Sequence, residues 1–273
     1  MTRTPLRTLR MFGVLGAVLL AGLWAGPVTG QPAYRSQPAS EGALPLAEAL
    51  ARVDSLRSVG HFRRALSSLK ELKAAHPNRV EILYRQAFIR SELGKTVADQ
   101  DRTLRLHRKA VAVAAAAVEA DPESAWAHLA VAVAQGRLTQ HVSTRERVKR
   151  SRLVKRHVDR AIALDSTLAP AYHVRARWNQ IAADISLLAR AVVQVVYGGL
   201  PEASYEKAVA DSKRAIEIQT RTYHHLALGK TYMKMGRIDA ARIQWRKTLE
   251  VPPVDPFAEE FKAAARRLLK EHQ

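Results

Sequence analysis

From Ala43 onward, apolar residues recur at three- and four-residue intervals within long stretches of Ala, Leu, Arg and Glu. Proline and glycine are confined to a few places between these stretches, and no alternating β-branched run stands out as a strand. That pattern predicts an all-α chain. The punctuation itself repeats. Gly60 is followed by Phe62, Ala65, Leu69, Leu72 and Pro77, and Gly236 by Ile238, Ala241, Trp245, Thr248 and Pro253, at the same offsets throughout. Gly94 falls 34 residues after Gly60. Each unit reads as a helical hairpin in which glycine makes the turn and a small residue early in the second helix lets the two helices approach. A large apolar residue one turn later fills the groove, and proline bars continuation of the helix. Self-similarity at such a period predicts a solenoid. The expected architecture is a right-handed superhelix of about five hairpins over residues 43–271, closed by an amphipathic capping helix at roughly Pro256–Glu271.

The best-preserved copy, with Leu228, Gly229, Tyr232, Gly236, Ala241 and Pro253, resembles the tetratricopeptide repeat family. The segments Ala116–Gly136 and Arg160–Trp178 resemble that family's hinge between successive hairpins, and Tyr205–Gln219 resembles the second helix of a further unit. The middle units depart from a 34-residue period. Pro77, Pro122 and Ser166 occupy equivalent ends but stand 45 and 44 residues apart, and Thr220 follows after 54 more. The lengthened hairpins, the Tyr172–Trp178 segment, the Leu-Pro-x-x-Ser-Tyr-Glu-Lys-Ala run at 200–208 and the closing Gly-Lys-Thr-Tyr at 229–232 resemble one subset. They are similar to the exported bacterial relatives of the regulator of microtubule dynamics protein family, over about residues 80–270. This resemblance implies an architecture; the microtubule role is not carried over to an exported chain.

The N-terminus changes the picture. Arg3, Arg7 and Arg10 precede an uncharged apolar run from Met11 to about Ala25, and Val28 and Gly30 form a small-residue cleavage site before Gln31. Residues 1–30 therefore read as a secretory signal peptide, and 31–42 as a flexible Gln/Pro/Ser/Gly linker. The run is short for a membrane span of about 20 apolar residues, and an uncleaved anchor is the alternative. The expected location is periplasmic or extracellular. The formal charge is +19, from which cleavage removes three arginines and no acid. That field favours acidic partners. Export and the absence of a recognised motif argue against nucleic acid. Between Arg145 and Arg160 a dense basic run carries Val148, Leu153, Val154 and Val158 at helical spacing, which predicts one buried stripe and a broad cationic outer face with Lys149, Arg152, Lys155 and Arg156. The run Ile181–Tyr197 is apolar, but Asp184 and Arg190 predict a helix buried among its neighbours.

Catalytic chemistry finds little support. The chain has no cysteine, so thiolate chemistry is excluded. None of the ten histidines forms a metal-ligand pair with an intervening Glu, and adjacent His224 and His225 point about 100° apart on a helix. Gly229-Lys230-Thr231 lacks the upstream glycine of a phosphate-binding loop. No cofactor, metal or enzymatic activity is expected. Binding is the expectation instead. The first helices of successive units should line a concave groove and present Tyr84, Arg85, His173, Arg177, Lys230 and Lys234 to a protein or peptide partner, an acidic one by charge. The alternative is an envelope-associated module held to an anionic membrane surface by the cationic face.

Cleavage near Gly30 has a direct test. Protein recovered from the periplasmic or extracellular fraction should have an intact mass lacking residues 1–30, whereas an exported species still beginning at Met1 would indicate an anchor.

Overall fold

The computed structural model describes residues 45–272, so the signal-peptide and linker readings of residues 1–42 lie outside the described residues. Among the described residues there are twelve α-helices, one short 3-10 turn (Thr139–His141) and no strand. Five hairpins stack in chain order. They are α1 (Leu46–Ser58) with α2 (Phe62–Ala75), α3 (Val80–Lys95) with α4 (Gln100–Ala120), and α5 (Ala125–Leu138) with α6 (Thr144–Leu164). In the fourth, α7 (Ala169–Ala183) is followed by an inserted α8 (Leu187–Tyr197) before its partner α9 (Tyr205–Ile218). The fifth pairs α10 (Thr222–Lys234) with α11 (Ile238–Glu250), and α12 (Ala258–Glu271) caps the stack. The chain is an all-α helical-repeat solenoid.

Local chemistry sets these boundaries. Gly60 and Gly236 take left-handed backbone angles (φ 80° and 73°) between α1 and α2 and between α10 and α11, a conformation that costs a residue with Cβ. The side chains of Asp99, Ser124, Ser143, Ser186 and Ser204 each accept a hydrogen bond from a backbone N–H in the first turn of the helix they cap. Helices α2, α4, α6 and α9 end two residues before Pro77, Pro122, Ser166 and Thr220, the positions predicted as equivalent. The irregular spacing now has a structural cause. Helices α4 and α6 are 21 residues long against 14 for α2, and the longest interval accommodates α8.

The register of the close contacts holds, with one correction. Ala65, Leu69, Ala241, Trp245 and Thr248 are fully buried. A Cβ on Gly229 would overlap the Trp245 indole and come within 3.1 Å of the Ala241 carbonyl, so α10 and α11 approach closely there. Gly94, however, is not a turn glycine. It lies within α3, outside the left-handed region, and packs under the His107 ring. Its counterpart is Gly229, and the 34-residue spacing from Gly60 joins two different roles.

Helices α3, α5, α7 and α10 are buried almost all round because neighbours cover them on both sides, whereas the second helices keep one solvated face. The burial extends across the ends of the stack. Leu50, Val53, Phe62 and Leu69 of the first hairpin share a core with Tyr223, Trp245, Phe261 and Leu268. Phe62 stacks on Phe257 at 5.9 Å between ring centroids, and the Gly60 turn abuts Pro256. The solenoid thus curls until its first hairpin meets its cap. A buried Arg57–Glu92 pair, with two hydrogen bonds of 2.7 Å, ties α1 to α3 inside this closed end.

Helix α8 departs from expectation. Only Val193 is buried, while Leu187, Leu188, Val195 and Val196 face solvent. Asp184 and Arg190 do not draw it inward: Asp184 caps the end of α7, and Arg190 reaches back to the Ala182 carbonyl.

Gly229→Ala should destabilise the protein by about 1–3 kcal/mol, because the added methyl overpacks the α10–α11 contact. Urea denaturation checks this; an unchanged midpoint would contradict the close approach.

Candidate ligand cavity

A cavity of about 490 Å³ lies where α12 passes over α3, α7 and α10. Helical spacing brings its walls together. His173 and Arg177 are one turn apart on α7; Tyr223, Leu226, Ala227 and Lys230 form one stripe of α10; Glu260, Ala263, Ala264 and Arg267 form another on α12. Lys95 enters from the last turn of α3. The lining is mixed: four cations, Lys95, Arg177, Lys230 and Arg267, and the single carboxylate of Glu260 are interleaved with apolar Leu226, Ala227, Phe261, Ala263 and Ala264.

Lys95, Arg177 and Lys230 are poorly neutralised, whereas Arg267 is exposed and pairs with Glu271 at 3.6 Å. Lys95 Nζ stands 3.4 Å above the Phe257 ring centroid and 3.9 Å from Glu260, and makes no hydrogen bond. Burial, reinforced by Arg137, lowers its pKa to about 8. Lys230 is lowered to about 8 by burial and by the neighbouring Arg177 and Arg267. Burial lowers Arg177 to about 10; one of its terminal nitrogens donates to the Gln180 side chain, while its Nε has no partner. His173 is buried and held neutral well below its ordinary value by desolvation, then by His224 and Arg177. Its Nε2 makes no hydrogen bond, and its ring meets Tyr223 edge-on at 4.8 Å. A bound anion would supply the missing partners, and charge-assisted bonds in such a site are about twice as strong as neutral ones. Among the described residues no group of three or more His, Asp or Glu side chains converges as a metal site requires.

Of the six residues expected in a groove, the structure brings together three: His173, Arg177 and Lys230. Tyr84 and Arg85 are corrected. Both are buried in the interior, at 3% and 6% exposure, because α3 is sandwiched between hairpins. Arg85 is committed to Asp54 at 2.8 Å and to the Tyr84 hydroxyl, and Tyr84 stacks on Trp126. Lys234 is exposed and bound to Asp184 at 2.9 Å rather than lining the cavity. Glu260, Phe261 and Arg267 are absent from the sequence-based set because the amphipathic pattern of the capping helix predicts only an end cap, and Lys95 because its neighbours here come from that cap rather than from its own hairpin. The small pair Ala263-Ala264 beside Arg267 is the signal that could have found them. On the basic run, Lys149 and Arg156 face solvent, whereas Lys155 pairs with Asp159 over the Trp178 ring. Arg152 is also spent, donating to the carbonyls of Tyr197 and Gly199.

The comparison with known families bears on this geometry. The family model described as regulator of microtubule dynamics protein 1-3 matches residues 49–273, from the first hairpin through the cap. The chain belongs to this family. It is 24% identical over 225 residues to regulator of microtubule dynamics protein 1 of Caenorhabditis elegans, covering 82% of this chain and 99% of that one. It is 23% identical to the Bos taurus protein of the same name, covering 82% of this chain and 71% of that one. Among solved structures, a thermophilic TPR protein of Thermus thermophilus superposes with a TM-score of 0.59 at 22% identity, over 81% of this chain and 98% of that one. That likeness concerns the fold, and it supports the tetratricopeptide reading. The family match also extends the resemblance seen in the sequence to include the first hairpin.

The lysine shifts give a signed prediction. Lys230 has an ordinary pKa of 10.5 and a folded value of about 8. Below pH 8 both states hold the proton and the folded state bears the full cost of the buried charge. Between pH 8 and 10.5 the folded state releases it first, and stability rises. Lys230→Met should therefore melt higher than wild type at pH 7, and the difference should shrink as pH rises through that window. A lower melting temperature at pH 7 would contradict the account.

Proposed function

We propose that this protein is a non-enzymatic, exported binding protein that holds the acidic end of a protein or peptide partner in the cavity beneath α12. The observation that carries this reading is the meeting of the half-buried Lys95, Arg177 and Lys230, with Arg267 at the exposed rim and Glu260 the one carboxylate of the lining, among apolar residues of α10 and α12. At about 490 Å³ the space suits a terminus with one or two side chains rather than a long extended segment. A C-terminal carboxylate paired with Arg177 and Lys230 would leave an apolar side chain against Leu226 and Phe261. Export is supported by the basic, then apolar, then small-residue pattern of residues 1–30. The names of the relatives speak of microtubule regulation in those proteins; an exported chain has no microtubule to meet, so the ligand class is taken from the cavity's chemistry. The apolar residues of the lining favour one competing occupant, an amphiphilic anion with an alkyl tail.

Fluorescence anisotropy with a labelled Glu/Leu peptide ending in a free carboxylate tests the reading. Binding should weaken when the peptide is amidated. Arg177→Ala with Lys230→Ala should lower affinity at least about tenfold, since a desolvated charge-assisted hydrogen bond is worth roughly 1.5–3 kcal/mol. Lys149→Ala with Arg156→Ala should leave it unchanged. If the outer pair abolishes binding and the cavity pair does nothing, the cavity is not the site. Displacement of the peptide by an alkyl carboxylate that binds more tightly would favour the amphiphile.

A further inference from the structure

Helix α8 is well made yet covered by nothing among the described residues. Ser186 caps its start, and at its end Gly198 and Gly199 take left-handed angles while their N–H groups return to the Gln194 and Val193 carbonyls. Val193 pins it to the body, and it leaves the line of α7 at 103°. Leu187, Ala191 and Val195 follow one another at four-residue spacing, with Leu188 beside them. Leu187 is 86% exposed and Val195 85%. Arg190, the only charged side chain of the helix, is turned back to the Ala182 carbonyl at 2.8 Å. The outward face is thus mainly aliphatic, with Gln194 its one polar residue, and lacks the Trp, Tyr and Arg that dominate protein interfaces.

The flank of this face is cationic. Arg152 of α6 holds the end of α8 through the Tyr197 and Gly199 carbonyls. Lys149 and Arg156 lie three residues before and four after it on the same stripe of α6, and both are exposed. The nearby acids are occupied: Glu146 pairs with Arg150, Asp159 with Lys155 and Arg175, and Glu202 with Lys207. An aliphatic ridge beside unpaired cations is complementary to an anionic lipid surface, where a short helix buries its apolar face at the level of the headgroups. No single helix among the described residues is long and apolar enough to cross a membrane; α7 and α8 reach that length only together across a 103° bend, and α7 is buried in the stack, so the contact of α8 is one of lying on the surface.

We propose that α8 is a membrane-docking helix that inserts Leu187, Leu188 and Val195 into an anionic bilayer surface, with Lys149 and Arg156 contacting the lipid headgroups. This rests on the α6–α8 geometry and is independent of what the cavity binds.

The absence of cysteine allows a site-specific test on the full chain. A polarity-sensitive fluorophore is attached at Val195→Cys, or at the control Ser67→Cys, which lies on the solvated side of α2. Each is titrated with vesicles of phosphatidylcholine alone or mixed with phosphatidylglycerol. The probe at 195 should shift to the blue on the anionic vesicles and not on the zwitterionic ones, and the probe at 67 should not respond. Adding Lys149→Glu and Arg156→Glu should raise the lipid needed for half the shift at least about tenfold, since each basic residue near an anionic surface contributes a factor of roughly five. Three results would overturn the proposal. One is a silent probe at 195 on a chain that sediments with the vesicles, which would place binding elsewhere, for example in the apolar run near the N-terminus. Another is a blue shift that needs no lipid and grows with protein concentration, which would mean that a second copy covers α8. The third is an undiminished shift in the charge-reversed variant.

Discussion

The closed arrangement depends on what happens at Phe257. Its ring stacks on Phe62 of the first hairpin and carries the Lys95 ammonium 3.4 Å above its face. Asp255 steadies the approach by accepting hydrogen bonds from Thr222 and from the Phe257 N–H. These contacts bring the last unit against the first. An open solenoid exposes a groove to water, where lysines and arginines keep their ordinary affinity for protons. Once α12 lies across α3, α7 and α10, the same side chains are desolvated, and their pKa values fall for that reason before any mutual repulsion is considered. The cavity, its sign and its shape are consequences of closure.

Closure also explains why a conflict persists inside a well-packed protein. Elsewhere several buried or half-buried charges are paired, as Arg57 is with Glu92 and Arg175 with Asp211. Around the cavity Lys95, Arg177 and Lys230 share one lining carboxylate, and polar atoms of Lys95, His173 and Arg177 find no partner. Buried groups left this way cost free energy; similar unpartnered atoms occur elsewhere in the fold, at His107 and Arg137 among others, but those here open onto a cavity large enough for a ligand to supply the partners. Stability is sacrificed locally where the rest of the fold can bear it.

Much of this architecture is legible in the sequence because repeat structure is written in local spacing. The Gly–Ala–large apolar–Pro offsets give the register at Ala241 and Trp245, and Pro77, Pro122, Ser166 and Thr220 give the ends of the second helices. What local spacing does not carry is curvature, which accumulates over many small rotations between hairpins. Closure is therefore invisible in it; the burial of Tyr84 and Arg85 is missed for a nearer reason, since the neighbouring hairpins cover α3 through Asp54 of α1 and Trp126 of α5. Gly94 takes the wrong role in a reading of spacing alone, because a turn glycine and a close-contact glycine look alike without backbone angles. Helix α8 misleads for a related reason. An apolar segment with a few charges reads as core, and only the positions of α6 and α7 show that Leu187 and Val195 have nothing to pack on. His173, Arg177 and Lys230 are found from sequence because they lie on first helices. Lys95 and Arg267 escape because their role exists only after the ends meet.

Joining the two ends covalently tests closure most directly. A Cβ at position 60 would lie 3.7 Å from the Pro256 Cβ, within the range of about 3.5–4.5 Å that a disulfide spans. The left-handed backbone at Gly60 would cost a cysteine there about 1–2 kcal/mol, which does not prevent the trial. In Gly60→Cys/Pro256→Cys, with no other cysteine in the chain, mild oxidation of dilute native protein should give a monomeric intramolecular disulfide, read as faster migration on a non-reducing gel and loss of free thiol. Free thiols that persist, or disulfides that form only between molecules, would mean that the first hairpin and the cap stand apart and that the cavity beneath α12 is not built as described.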